Sequence, residues 1–101
     1  MKISEIIEKL QEAEKEGITE VKIGNGYIDK VTCDGIESTV DLHLVYTCGL
    51  SLSELIKELQ SMRVGYGSDI EVTCNGFDIA VVLPLVNICD IKCGRLHPFQ
   101  K

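Results

Sequence analysis

Two stretches of this chain nearly repeat one another. Residues 31–48 read VTCDGIESTVDLHLVYTC and residues 72–89 read VTCNGFDIAVVLPLVNIC, nine identities in eighteen ungapped positions at a separation of 41. The preceding segments also match, Ser4-Glu5-Ile6-Ile7-Glu8-Lys9-Leu10-Gln11 against Ser53-Glu54-Leu55-Ile56-Lys57-Glu58-Leu59-Gln60, at a separation of 49. A repeat of this size is a supersecondary unit used twice. The chain therefore reads as a single domain over 1–101 with an internal duplication, repeat 1 at 1–50 and repeat 2 at 51–101. A chain of 101 residues can bury one two-layer core and has little margin for a deep catalytic cleft as well.

Spacing assigns the elements. Ile3, Ile6, Ile7, Leu10 and Ala13 share one helical face, and Leu52, Leu55, Ile56, Leu59 and Met62 repeat the pattern. Ser51 with Glu54 forms a capping box for the second helix, and Gly17 and Gly65 stand where each helix should stop. Asp34-Gly35 and Asn75-Gly76 are two-residue hairpin turns between alternating segments. That register pairs Cys33 with Ile36, Val31 with Ser38 and Asp29 with Val40, and puts Ile70, Val72, Cys74, Phe77, Ile79, Val81, Leu83 and Leu85 inward in the second hairpin. The eight extra residues of repeat 1 supply a strand at 18–23, joined through Gly24-Asn25-Gly26 with Gly26 left-handed. The expected fold class is α+β: a two-layer sandwich in the order α-β-β-β-α-β-β, with an antiparallel sheet of about five strands and both helices on one face. The tail, 90–101, is expected to add at most a short strand or fold back through Ile91, Leu96 and Phe99.

The outward row of the second hairpin, Ala80, Val82, Pro84, Val86 and Ile88, is apolar where the first hairpin carries Thr39, Asp41, His43, Val45 and Thr47. A ribbon of that size calls for a cover, and self-association into a homodimer through Val82, Pro84, Val86 and Ile88 is the reading we carry forward. Pro84 marks an edge or a bulge, since it cannot donate to a ladder.

Charge narrows the partners. Sixteen acids against ten bases give a net charge of −6, which disfavours nucleic acid, whose phosphates require clustered Lys and Arg. The acids concentrate on the exposed face of the first helix, where Glu8, Glu12 and Glu16 form an acidic face suited to a basic protein. The longest nearly apolar run, Ile79 to Val86, is too short to span a bilayer, and no basic, then apolar leader opens the chain. No membrane association and a cytoplasmic location are therefore expected. Five cysteines, an odd number, read as free thiols (Cys33, Cys48, Cys74, Cys89, Cys93).

Chemistry-bearing patterns are sparse. Cys89, Cys93 and His97 form a C-x3-C-x3-H series that would need Cys48 or Asp90 to complete a tetrahedral zinc site, and it lacks the paired C-x2-C knuckles of structural zinc. No cofactor is expected. Asp41 and His43, two residues apart on one strand face, are where a general base would sit, but no nucleophile accompanies them. The expectation is no enzyme and no catalytic residue. A small-ligand, nucleotide-type binder with a pocket at a subunit interface near Tyr27, Tyr46 or Tyr66 is the alternative, and a zinc-binding structural protein a further one.

The stretch from Ser53 to Gly76, SELIKELQSMRVGYGSDIEVTCNG, resembles a pattern common in small, uncharacterised α+β proteins of bacteriophages and prophage-like elements: an amphipathic Leu-Ile helix, a Gly-Asp-type turn and a strand ending in Asp-Gly or Asn-Gly. Residues 4–26 match it more loosely. The resemblance implies a mobile-element origin and carries over no catalytic residues. The resulting expectation is a small acidic viral protein that acts by stoichiometric protein–protein contact, with inhibition of a host defence protein as the target role.

Overall fold

The structure is a computed structural model that describes residues 1–34 and 39–96. The fold is α+β. Its elements are α1 (Ile3–Lys15), β1 (Glu20–Ile23), β2 (Tyr27–Asp34), β3 (Thr39–Val45), α2 (Leu52–Tyr66), β4 (Glu71–Cys74), β5 (Phe77–Pro84) and β6 (Ile88–Leu96). Among the described residues no helix is long and apolar enough to cross a membrane.

Both helices form where the apolar period places them. Ile3, Ile6, Ile7, Leu10 and Ala13 of α1 and Leu52, Leu55, Ile56 and Leu59 of α2 are buried in one continuous cluster, with Met62 packed at its margin. Ser51 caps α2: the Glu54 N–H donates to Ser51 Oγ at 3.2 Å, and the Ser51 N–H donates to Glu54 Oε1 at 2.8 Å. Those bonds, the backbone one first, hold the Glu54 carboxyl below its ordinary pKa. α1 stops before Gly17 as expected, whereas α2 runs through Gly65 and ends at Gly67, the residue that takes the positive φ of 98°. Gly65 points into open space, and nothing there forces the chain out of the helix.

The second hairpin has the expected register, Cys74 opposite Phe77 and Thr73 opposite Asp78, around an Asn75-Gly76 turn with φ of 51° and 86°. The first does not. Cys33 pairs with Val40 and Val31 with Leu42, a slip of four positions from the expected register. Because side chains alternate with period two, a slip of four leaves the same faces in and out. The expected partners Ile36 and Ser38, and the turn residue Gly35, lie outside the described residues.

The sheet is six-stranded and mixed, rather than five-stranded and antiparallel, in the order β1-β6-β5-β4-β3-β2. Two differences produce this. The chain does not stay extended through Ile88; it turns after Pro84, with the Leu85 N–H donating to Ile88 O at 2.9 Å, and returns as β6. β1 does not form a ladder with β2. Those strands share a single bridge, Ile23 with Gly26, and β1 then leaves to lie parallel with β6 (Glu20 opposite Ile88, Ile23 opposite Ile91), while β4 lies parallel with β3 (Glu71 opposite Thr39, Cys74 opposite Leu42). The two ends of the strand order are therefore consecutive strands joined by a tight turn, so the sheet curls until its edges meet. The left-handed residue in that turn is Gly24, not Gly26.

A bulge in β5 moves the predicted faces. The pairing shifts between Phe77 and Ile79 and again between Ile79 and Val81, so Val82 turns inward opposite Ile91 while Val81 and Leu83 become half-buried and Phe77 and Leu85 exposed. β2 bulges likewise between Ile28 and Lys30; Ile28 is buried and Tyr27 half-buried.

Close approach fixes the linker into α2. The Leu50 N–H donates to Ile28 O at 2.7 Å, and a Cβ at Gly49 would lie 2.3 Å from that oxygen. Gly49→Ala should lower the unfolding free energy by about 2–3 kcal/mol, since backbone must move, whereas Gly65→Ala should raise it by about 0.5–1 kcal/mol; urea denaturation reads both. Ser51→Ala should cost about 1 kcal/mol in the same assay through loss of the cap.

Candidate functional site

The curled sheet leaves one end open. Ile23, Gly24 and Asn25 at the end of β1, Leu44 and Tyr46 at the end of β3, Cys74, Asn75 and Phe77 around the β4–β5 turn, and Lys92 and Cys93 of β6 surround a cavity of about 530 Å³. Ile23 and Cys74, which continue the inward rows of their strands, are buried at its floor, Leu44 is half-buried beside them, and Cys93 is exposed. The rim carries two rings that the core does not absorb, Tyr46 at 72% and Phe77 at 43% exposure. Lys92 supplies a cation, already paired with Asp90 at 3.2 Å.

Two cysteines border this cavity, Cys74, buried, and Cys93, exposed. Burial, then the neighbouring Cys93 and Asp41, pushes the Cys74 thiol up to about 12; burial also holds Cys93 above its ordinary range. Cys89 is fully buried elsewhere in the core, and desolvation with Asp90 beside it raises its thiol to about 11. Buried Cys74 and Cys89 are protonated and unreactive at neutral pH.

The outer sheet face holds the polar residues. His43 Nδ1 meets Asp29 Oδ1 at 2.5 Å across the β2 bulge, so the carboxylate that orients this imidazole is Asp29 rather than Asp41. Asp41 instead accepts from Thr73 Oγ1 at 2.9 Å and from the Gly76 N–H at 3.4 Å, tying β3 to β4 and its turn. The sequence pointed to Asp41 because it shares a strand with His43; the bulge that brings Asp29 alongside has no local sequence mark.

The remaining predicted positions are dispersed. Glu8 and Glu12 of α1 and Glu16, the residue that caps its C-terminus, are exposed, and no ion pair involves them among the described residues. Val82 is buried at 5% exposure, Ile88 is half-buried, and only Pro84 and Val86, at the β5–β6 turn, stand out, Val86 at 91%. The expected continuous ribbon is thus broken by the bulge and the turn. In the zinc series Cys89 is buried and Cys93 faces the cavity, four residues along one strand and so roughly 13 Å apart if the strand were fully extended; His97 lies outside the described residues. Cys48 is exposed at a separate cavity of about 320 Å³ with Tyr27, while Asp90 is buried beside Lys92. The three tyrosines do not converge: Tyr27 borders that second cavity, Tyr46 the first, and Tyr66 the end of α2. Tyr46, Phe77, Lys92 and the two asparagines were not joined by sequence reasoning, since curling of the sheet is what assembles them.

Comparison with known proteins found no matching family model, no matching curated protein and no matching solved structure.

The raised thiols set an alkaline limit. A thiol with a folded value above its unfolded value of 9.0 keeps its full stabilising effect below pH 9 and loses it as pH rises towards about 11 for Cys89 and about 12 for Cys74. Unfolding free energy should therefore decline between pH 9 and pH 12, less steeply in Cys74→Ser, when followed by denaturant titration. Iodoacetamide at neutral pH should modify exposed Cys48 first and leave Cys74 and Cys89 intact in the folded chain, as peptide mass spectrometry would read.

Proposed function

We propose that this chain is a non-enzymatic, phage- or mobile-element-encoded binding protein that acts in the host cytoplasm by stoichiometric contact with a basic protein, with a host defence protein as the target class. The observation that carries this reading is the exposure of Glu8 and Glu12 of α1 and of Glu16 at its C-terminal cap. The opposite face of this helix is anchored by five buried side chains, so the ridge is presented on a rigid element. Complementary charge of this kind raises association rate and specificity.

Duplication of one α-β-β-β unit, in a two-layer arrangement, belongs to the same proposal. Both helices turn their apolar stripes into the one buried cluster over the sheet. The ladder β1–β6 becomes the ladder β3–β4 when its first strand advances by 51 residues (Glu20 to Glu71) and its second retreats by 49 (Ile88 to Thr39), every pair included. The same shifts carry the β2 bulge at Ile28/Lys30 onto the β5 bulge at Ile79/Val81, and the Ile23–Gly26 bridge onto Cys74–Phe77. They also relate the Ile3 N–H bond to Ile70 O with the Leu52 N–H bond to Thr19 O, each 2.9 Å. This correspondence differs from the sequence match at a separation of 41, which aligns Val72-Thr73-Cys74 with 31–33 rather than with 21–23. Self-association into a homodimer, also part of the proposal, falls to Pro84, Val86 and Ile88, since Val82 is buried.

The test is a triple charge reversal, Glu8→Lys with Glu12→Lys and Glu16→Lys. Against a purified host partner, binding by the parent chain should weaken with salt and the reversed chain should bind at least about tenfold more weakly, near 1.4 kcal/mol, with unchanged circular dichroism. Equal binding by both chains would remove this reading. Light scattering checks the dimer, which Val86→Asp should shift to monomer.

A second reading, small-ligand binding, is favoured by the exposed Tyr46 and Phe77 rings at the rim of the open-end cavity. Thermal-shift screening with nucleotides should then give a stabilisation that grows with ligand concentration and is lost in Tyr46→Ala.

A further inference from the structure

We propose that two copies of this chain exchange halves: the half that ends at Val45 in one copy closes on the half that begins at Leu52 in the other, giving a dimer distinct from any contact at the β5–β6 turn. The bonds that close the molecule run between its halves. β1 lies on β6 and β4 on β3, while the Ile3 N–H donates to Ile70 O and the Leu52 N–H to Thr19 O, each at 2.9 Å. Each connection from the first half to the second has a counterpart from the second to the first. The junction is therefore self-complementary, which is the isologous form that a two-fold pair of subunits takes, and exchange of identical elements across such a junction is a low-cost route to a dimer. Every one of these bonds is re-formed unchanged when the second half comes from another copy.

The hinge for this exchange is the linker 46–51, between Val45 and Leu52. Residues 46–49 are exposed, so drawing them out uncovers no core. The bond that fixes the linker, from the Leu50 N–H to Ile28 O, is made to the first half and not to the second. Closed and exchanged forms thus differ chiefly in the path of the linker and in the entropy of joining two chains. A short flexible linker holds its ends at an effective concentration on the order of mM, so exchange competes with closure when chains fold at about that concentration. Either form, once made, is held by both parallel ladders, and interconversion requires breaking them. Exchange also reassigns the open-end cavity: Tyr46 of its rim comes from the first half, and Phe77 and Lys92 from the second. Each cavity of the dimer is therefore lined by both chains.

The experiment unfolds the full chain in urea and refolds it under reducing conditions at about 1 µM and at about 1 mM, either side of the effective concentration of the linker. Both samples are then brought to one low concentration for size exclusion with light scattering. The dilute refolding should give monomer, and the concentrated one a dimer that persists after dilution. Isotope-labelled and unlabelled chains refolded together at the higher concentration should show interchain nuclear Overhauser contacts between Ile23 and Ile91, Cα partners in the β1–β6 ladder. Deletion of residues 47 and 48 shortens the hinge and should raise the dimer fraction in the dilute sample; circular dichroism accompanies that variant, and the parent chain decides the matter if it does not fold. Val86→Asp, at an exposed position of the β5–β6 turn, should leave the persistent dimer intact, so loss of a surface homodimer and loss of exchange are separate results. The proposal is overturned if refolding at the higher concentration returns only monomer, if the dimer shows no interchain contact between Ile23 and Ile91, or if Val86→Asp abolishes it.

Discussion

Parallel pairing between the two halves of the chain is the constraint on which the rest depends. β1 has only one bridge to its sequence neighbour β2, and its ladder groups are satisfied by β6, at the far end of the chain; β4 is held in the same way by β3. Buried backbone N–H and C=O groups must be paired, so neither half can complete its sheet without the other. The starts of the helices are tied across the halves too, Ile3 to Ile70 and Leu52 to Thr19. Folding of one half alone would leave two strand edges and a helix stripe exposed.

That exchange also accounts for the position of the candidate sites. Since the first and last strands in the sheet order are joined by the short Gly24-Asn25-Gly26 turn, the sheet has to curl, and curling creates a concave end whose floor and rim come from five different strands. Cys74 and Cys93, 19 residues apart in sequence and on alternate strands, come to line one cavity there. On the convex side the β2 bulge carries Asp29 to His43, and Asp41 is left to brace Thr73 and Gly76. The acidic line of α1 faces solvent on a different surface, so a protein partner on α1 and a small occupant of the cavity would not compete for the same side chains.

The eighteen-residue match at a separation of 41 does not follow the sheet. Its identities are real, but they place the end of β2 beside the end of β4, strands that hold different places in the sheet. A Val-Thr-Cys segment before an Asx-Gly turn satisfies any half-buried strand entering a hairpin, so short-range hairpin chemistry produces identity irrespective of position. The weaker helix match, at a separation of 49, carries the correspondence that the ladders follow.

Local interactions were legible in the sequence by itself: both helical stripes, the Ser51–Glu54 cap and the Asn75-Gly76 turn depend on residues within a few positions of one another, where periodicity and backbone preference act directly. The exposed run of acids on α1 follows from the same period. Tertiary structure alone decided the rest. A bulge costs one residue of register and reverses a face, which is why Val82 is inside and Phe77 outside, and β6 arises only because its backbone groups find partners on both β5 and β1. Parallel pairing leaves no turn between its strands to read, and the gathering of Tyr46, Phe77 and Lys92 around one cavity depends on the curvature of the whole sheet, a property that no short segment of the chain encodes.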